Sequence, residues 1–168
     1  MDLMNDHRSV SIDRPGLAQL CSHDIAVAAR TSVPVLISAP AESALPMALE
    51  IAMGSGGDGA DGVVVVDAAD TDHRHLRSTF ERVSEAGLSP LRTIVVQGVE
   101  ALDQAQQSAL MALVADTAGP DSRACRIIAT TSVPLFERVT QGSFDSDLFY
   151  RLNRIHIKVA ADPVVRDH

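Results

Sequence analysis

The run CRIIATTSVPLFERVTQGSFDSDLFYRLNRIHI, residues 125–157, carries the densest structural signal in the chain. Arg126 to Thr131 is rich in β-branched residues and uncharged after its opening arginine, which predicts a strand. A helix is expected from about Leu135. Beyond Gly142 a second helical segment is expected, where Leu148 and Leu152 stand four apart as core anchors. Asp147 and Arg151 have the same spacing, which allows an intrahelical ion pair. A last strand is expected at Arg154 to Val159. His156 alternates there with Ile155 and Ile157 and so lies on the opposite face, as a core or rim histidine.

Working outward, the same alternation of strand and helix recurs. The apolar period Leu17, Leu20, Ile25 and Ala28 to Ala29 predicts a helix, followed by a strand over Val33 to Ser38 with Pro34 at its start, where a missing N–H is least costly. Ala44 to Met53 reads as a helix with Pro46 in its first turn. Gly54 to Gly62 reads as a connector, since its glycines precede a strand and do not join a strand to a helix. Val63 to Val66 reads as a fully buried strand. Leu76 to Ala86 is expected to be helical, closed by Gly87 and Ser89-Pro90, and Asp72-His73-Arg74-His75 reads as a solvated helix N-terminus in preference to a metal site. Thr93 to Val96 is the third strand. Asp103 should cap a helix reaching Asp116, with Ala105, Ala109, Leu110, Leu113 and Val114 on its apolar face. The strands are expected at 33–38, 63–67, 93–97, 126–131 and 154–159. Strands alternating with helices predict an α/β fold with a parallel sheet covered on both faces.

A chain of 168 residues with 46% hydrophobic content suits one domain with an aliphatic core, since it has four Phe, one Tyr and no Trp. No apolar run approaches a membrane span and no leader pattern is evident, so a soluble, cytoplasmic protein without a membrane partner is expected. Cys21 and Cys125 lack metal-ligand spacing and fit a reducing compartment. The net charge of −8 opposes direct DNA binding, which needs clustered Lys and Arg.

Gly142-Ser143-Phe144-Asp145-Ser146-Asp147-Leu148-Phe149-Tyr150-Arg151-Leu152-Asn153, preceded by the Arg126 to Thr131 strand, resembles the end of the AAA+ ATPase domain of sigma-54-dependent transcription activators. In that family a strand ending A-A-T-N is followed by a helix, then by G-x-F-R-x-D-L-Y-Y-R-L-N and a final strand. The resemblance covers roughly residues 17 to 159. It implies a P-loop NTPase-like three-layer sandwich whose five parallel strands run in the order 5-1-4-3-2, here without the helical lid. The implied organisation is a flexible arm at 1–12, a degenerate AAA+ domain at 13–160 and a tail at 161–168.

On the family pattern, G-E-S-G-T-G-K-E should follow the first strand. The chain has Ala39-Pro40-Ala41-Glu42-Ser43-Ala44-Leu45-Pro46, with no glycine to let backbone N–H groups curl round phosphates. Leu45 stands at the lysine position, Glu42 adds negative charge, and Pro46 removes an N–H from the helix start. The only lysine of the chain, Lys158, is too far along to serve. Gln97 and Gly98 replace the Asp and Glu that hold magnesium and orient water, and no acidic residue is expected to serve after the third strand. Ser132 stands for the γ-phosphate sensor. Asp145 replaces the first of two intersubunit arginines, and Arg151 keeps the second. Asp67 to Arg92 lacks the G-A-F-T-G-A loop that contacts sigma-54.

No catalytic residue, metal or cofactor is therefore expected, ATP or ADP binding being possible but not expected. The resemblance implies a regulatory or structural interaction module, in transcription regulation, that self-associates or docks on an active AAA+ protein. Asp145, Phe149, Tyr150 and Arg151 are the candidate interface. Two alternatives stand beside it: nucleotide binding without hydrolysis, through an adenine-side pocket near Leu17 to Asp24, and an ATPase with unorthodox residues.

Overall fold

A computed structural model describes residues 23–31, 33–54, 62–85, 93–116 and 126–159. The expected arm, tail, glycine-rich connector and adenine-side segment, and both cysteines, lie wholly or largely outside these residues. The helix α1 covers residues 23–29. After it come β1 (Val35–Ser38), α2 (Ala41–Gly54), β2 (Val63–Asp67), α3 (His73–Glu85), β3 (Thr93–Gln97), a 3-10 turn (Val99–Ala101) and α4 (Gln104–Asp116). The chain then runs through β4 (Arg126–Thr131), α5 (Leu135–Thr140), α6 (Ser146–Leu152) and β5 (Ile155–Lys158). Every strand pairing is parallel. The order β2-β3-β4-β1-β5 is the expected 5-1-4-3-2 read from the other edge.

Period-two alternation divides each central strand between two cores. Leu36, Ile94, Val96, Ile127 and Ala129 face α3, α4 and α6. Val35, Ile37, Val95, Ile128 and Ile157 face α1 and α2. Each fully buried aliphatic side chain, such as Ile37 or Ile128, contributes about 1.5–3 kcal/mol by leaving water. The three-layer arrangement follows because a sheet apolar on both faces needs a helical cover on each.

The edge of the sheet departs from expectation. Val63 to Val66 reads as fully buried, yet only Val66 is, and Val65 is 44% exposed. The reason is position: β2 pairs only with β3 and forms the edge. α2 begins at Ala41, three residues earlier than expected, so Pro46 falls in the second turn, where it removes the bond that its N–H would give to the Glu42 carbonyl. α3 also starts early, because Asp72 accepts the His75 N–H at 2.8 Å and caps it. That hydrogen bond lowers the Asp72 pKa.

On α4, Ala105 is exposed and Gln106 and Gln107 are buried in its place. Asp103 and Gln106 exchange reciprocal bonds of 2.8 Å, a capping box, and the Gln106 amide also donates to the Thr71 carbonyl. At the opposite side of the molecule Arg126, completely buried, donates to the Ala28 carbonyl at the end of α1. A helix C-terminus favours a cation and so offsets part of the cost of burying this arginine, whose pKa burial lowers. No helix among the described residues is long and apolar enough to cross a membrane.

Candidate functional site

The carboxyl ends of β1, β3 and β4 meet at a small cleft of about 100 Å³. Ala39 and Ala44 line it from the β1–α2 side, Gln97 and Gly98 from the end of β3, and Ser132 from the end of β4. The tertiary fold thus brings together the positions to which the resemblance assigns a phosphate loop, a magnesium-binding strand end and a sensor. Three of the residues expected there are elsewhere. Glu42 and Pro46 are exposed and outside the lining, and Leu45, at the lysine position, packs against the core beneath α2.

The β1–α2 connection is only Ala39-Pro40, and its backbone is consumed locally. Ala39 N–H donates to the Thr131 carbonyl at 3.0 Å, and the Ser43 and Ala44 N–H groups donate to the Pro40 carbonyl at 2.9 and 3.0 Å. A loop that cradles phosphate needs such groups free and convergent. Gly98 adopts φ 70° and ψ 50°, the left-handed region, and its N–H donates to Thr130 Oγ1 at 3.1 Å. A side chain there would strain the backbone.

Glu100 was missed by the reading that no acid serves after the third strand. The 3-10 turn carries its carboxylate back to the cleft, where Oε1 accepts from Ser132 Oγ at 2.9 Å and Ser132 N–H at 3.3 Å. Its Oε2 is shielded from solvent with no hydrogen-bond partner. Asp67, at the end of β2, also lines the cleft. The lining holds two carboxylates and no basic residue, so its field repels a polyphosphate. The sequence signal was an acid three residues past a buried strand, visible only once a tight turn is assumed. Among the described residues no group of three or more His, Cys, Asp or Glu is placed to hold a metal ion.

The second set of expected residues lies on α5 and α6. Asp145 caps α6, accepting the Leu148 N–H at 2.9 Å. Phe149 is corrected from surface to core: it is 7% exposed, because Leu148, Phe149 and Leu152 together form the inner side of α6. Tyr150, at 61% exposure, and Arg151 face outward. The Asp147–Arg151 pair allowed by spacing does not form, both side chains remaining in solvent, where such a pair stabilises little. Phe136, not singled out from sequence, is 52% exposed and meets Phe149 tilted at 54° with ring centroids 5.7 Å apart, and Phe149 meets Tyr150 edge-on at 5.4 Å. Its position beside buried Leu135 on α5, pointing away from the core, was the available signal.

Gln107 joins the two regions. Its amide donates to the Leu102 and Ser143 carbonyls at 3.0 and 3.1 Å, and its Oε1 accepts the Asp145 N–H at 2.9 Å. The buried amide therefore sets where α6 begins.

Comparison with known proteins gives one family and a fold. The model of the sigma-54 interaction domain matches residues 61–161. NtrX from Brucella abortus, in a structure with ATP, superposes with a TM-score of 0.70 at 21% identity, covering 89% of this chain and 38% of NtrX. The P-loop NTPase domain of a sigma-54 transport activator from E. coli gives 0.57 at 20%, covering 77% of this chain and 98% of that domain. A DNA polymerase III gamma subunit-related protein from Thermotoga maritima gives 0.53 at 15%, with 86% and 46% coverage. The chain thus spans well under half of NtrX. No curated protein matches its sequence.

Proposed function

The chain belongs to the sigma-54 interaction domain family, and on that premise we propose that it is a member without ATP hydrolysis that acts by protein association. The observation that carries the first half is the cleft itself. Its volume of about 100 Å³ is small beside the roughly 300–1,000 Å³ of sites that bind small molecules. Two carboxylates and no cation line it. Phosphoryl transfer depends on positioning and charge neutralisation, and neither is supplied. The left-handed Gly98 adds a structural reason, since a Glu restored at that position would cost about 1–2 kcal/mol in backbone strain.

Association is supported by what α5 and α6 leave in solvent. Phe136 and Tyr150 are large apolar or amphipathic groups held by the buried Phe149 ring between them, and Arg151 stands beside Tyr150. Aromatic and arginine side chains carry much of the energy of protein interfaces. The partner is a second copy or an active AAA+ protein in the cytoplasm, with Arg151 donating to a carboxylate or phosphate across the contact. Asp145 supports that surface by capping α6, and Phe149 by anchoring it from the core.

Two measurements test this reading. Phosphate release with ATP and magnesium should not exceed a blank, and neither ATP nor ADP should raise the melting temperature, as binding to the folded state alone would. Sedimentation of the wild type against Arg151→Ala and Tyr150→Ala should show association weakened by about 1–3 kcal/mol with the melt unchanged. Turnover above the blank would refute the loss of catalysis. Association unaltered by both substitutions would refute the interface.

A further inference from the structure

A second cavity, of about 450 Å³, opens at the carboxyl ends of β1, β4 and β5, on the sheet face away from α2. Its size is that of sites enclosing small organic ligands, and open parallel sheets bind ligands at the carboxyl ends of their strands. It shares only Ala39 and Ser132 with the smaller cleft. The sheet supplies its polar side. In the β1–β5 register Leu36 stands opposite His156 and Ser38 opposite Lys158, so all four side chains project from the same face. Ser38 Oγ and His156 Nε2 are 2.8 Å apart. The helical side is apolar, formed by Leu135 and Phe136 of α5 and Phe149 of α6, with Val133 at the approach.

In a chain with 22 acidic and 14 basic residues, this cavity is lined by a lysine and a histidine and by no carboxylate. We propose that it binds a small amphipathic anion: an organic monocarboxylate with an aliphatic or single-ring body. The carboxylate is held by the Lys158 ammonium and the hydroxyl–imidazole pair of Ser38 and His156. The apolar body lies against Leu36, Val133, Leu135 and Phe149.

The chemistry excludes the neighbouring classes. An amine would meet Lys158 as a like charge. A neutral alcohol would bury the same apolar area but leave the ammonium without a counter-charge, and a charge-assisted hydrogen bond is the stronger kind. A polyphosphate would bring several negative charges to a single lysine and press its hydrated groups against carbon. The imidazole suits a neutral role, as burial and then Lys158 lower the His156 pKa. Neutral His156 can accept the Ser38 hydroxyl or donate to it, and in the second tautomer that hydroxyl turns its own proton to the ligand. All these residues belong to one chain, so the site is complete without a partner.

Calorimetric titration of the purified chain with octanoate, octanol and octylamine at one ionic strength tests the proposal. Octanoate should bind at least tenfold more tightly than octanol, and octylamine more weakly than either. Lys158→Met, at an exposed strand end, should weaken octanoate about tenfold and leave octanol unchanged. Val133→Trp should block all three ligands by filling the cavity. Should that variant fail to fold, the Lys158→Met comparison decides alone. Equal affinity for the three ligands, no binding of octanoate, or octanoate binding indifferent to Lys158→Met would overturn the proposal. ADP binding more tightly than octanoate and losing affinity in Lys158→Met would assign the cavity to nucleotide and overturn it equally.

Discussion

Replacing Gln107 by alanine should destabilise the domain by about 3 kcal/mol, an unusually large effect for a polar residue on a helix. The amide makes three hydrogen bonds, to Leu102 O, Ser143 O and Asp145 N–H, spanning the 3-10 turn and the start of α6. Each contributes about 1 kcal/mol net. Gln107 is only 6% exposed, so water does not readily replace them, and the lost side-chain volume adds a smaller cavity cost. Gln107→Leu keeps most of the volume and loses all three bonds, so it should fall close to the alanine variant. Gln107→Glu keeps the acceptor for Asp145 N–H but sets a carboxylate against two carbonyls, and should be no better. Equilibrium urea unfolding followed by far-ultraviolet circular dichroism measures the difference, with the slope unchanged if the native state stays compact. A loss below 1 kcal/mol for the alanine and leucine variants alike would refute the role given to this amide.

Asp145→Ala should cost about 1 kcal/mol by uncapping α6, read in the same unfolding experiment. Asp145→Asn should retain most of the stability, since an amide oxygen also caps. His156 should titrate below the ordinary imidazole range in a proton NMR titration, and Lys158→Met should raise its midpoint toward that range. Because its folded pKa is depressed, the unfolded chain takes up the proton first. The His156 contribution is therefore complete above the unfolded value of about 6.5 and is lost as pH falls below it. A midpoint at or above that value would show that burial and Lys158 do not govern this residue.

The candidate site was legible in part because some of its residues act through type and others through placement. Absent glycines between Ala39 and Leu45 and an absent acid at Gln97 are properties of residue type, readable once the resemblance supplied the frame. Asp145 as a helix cap was equally accessible, since an Asp three residues before a buried Leu148 is a local signal, but the family frame drew attention to the arginine it replaces. Glu100 could not be assigned from the text alone: only the turn at Val99–Ala101 brings its carboxylate to Ser132, 32 residues away. Phe149 and Tyr150 are adjacent aromatics of similar propensity, and which one turns inward depends on the angle at which α6 lies on the sheet.

The amino-acid order by itself determined the alternation of strands and helices, because the periodicities of two and 3.6 are written in local apolar spacing, and through the family resemblance it gave the strand order. It also determined that the loop after β1 lacks the residues for cradling phosphate. The tertiary structure alone decided how far the edge strand β2 stays in solvent, with Val65 exposed, and that Gln106 and Gln107 are buried while Ala105 is not. It alone placed His156 and Lys158 beside Ser38, 118 and 120 positions away in the chain, across the β1–β5 pairing. Hydrophobic burial and hydrogen-bond satisfaction are properties of the assembled layers. A side chain's neighbours across a parallel sheet come from strands joined by long crossovers, so short-range spacing carries no record of them.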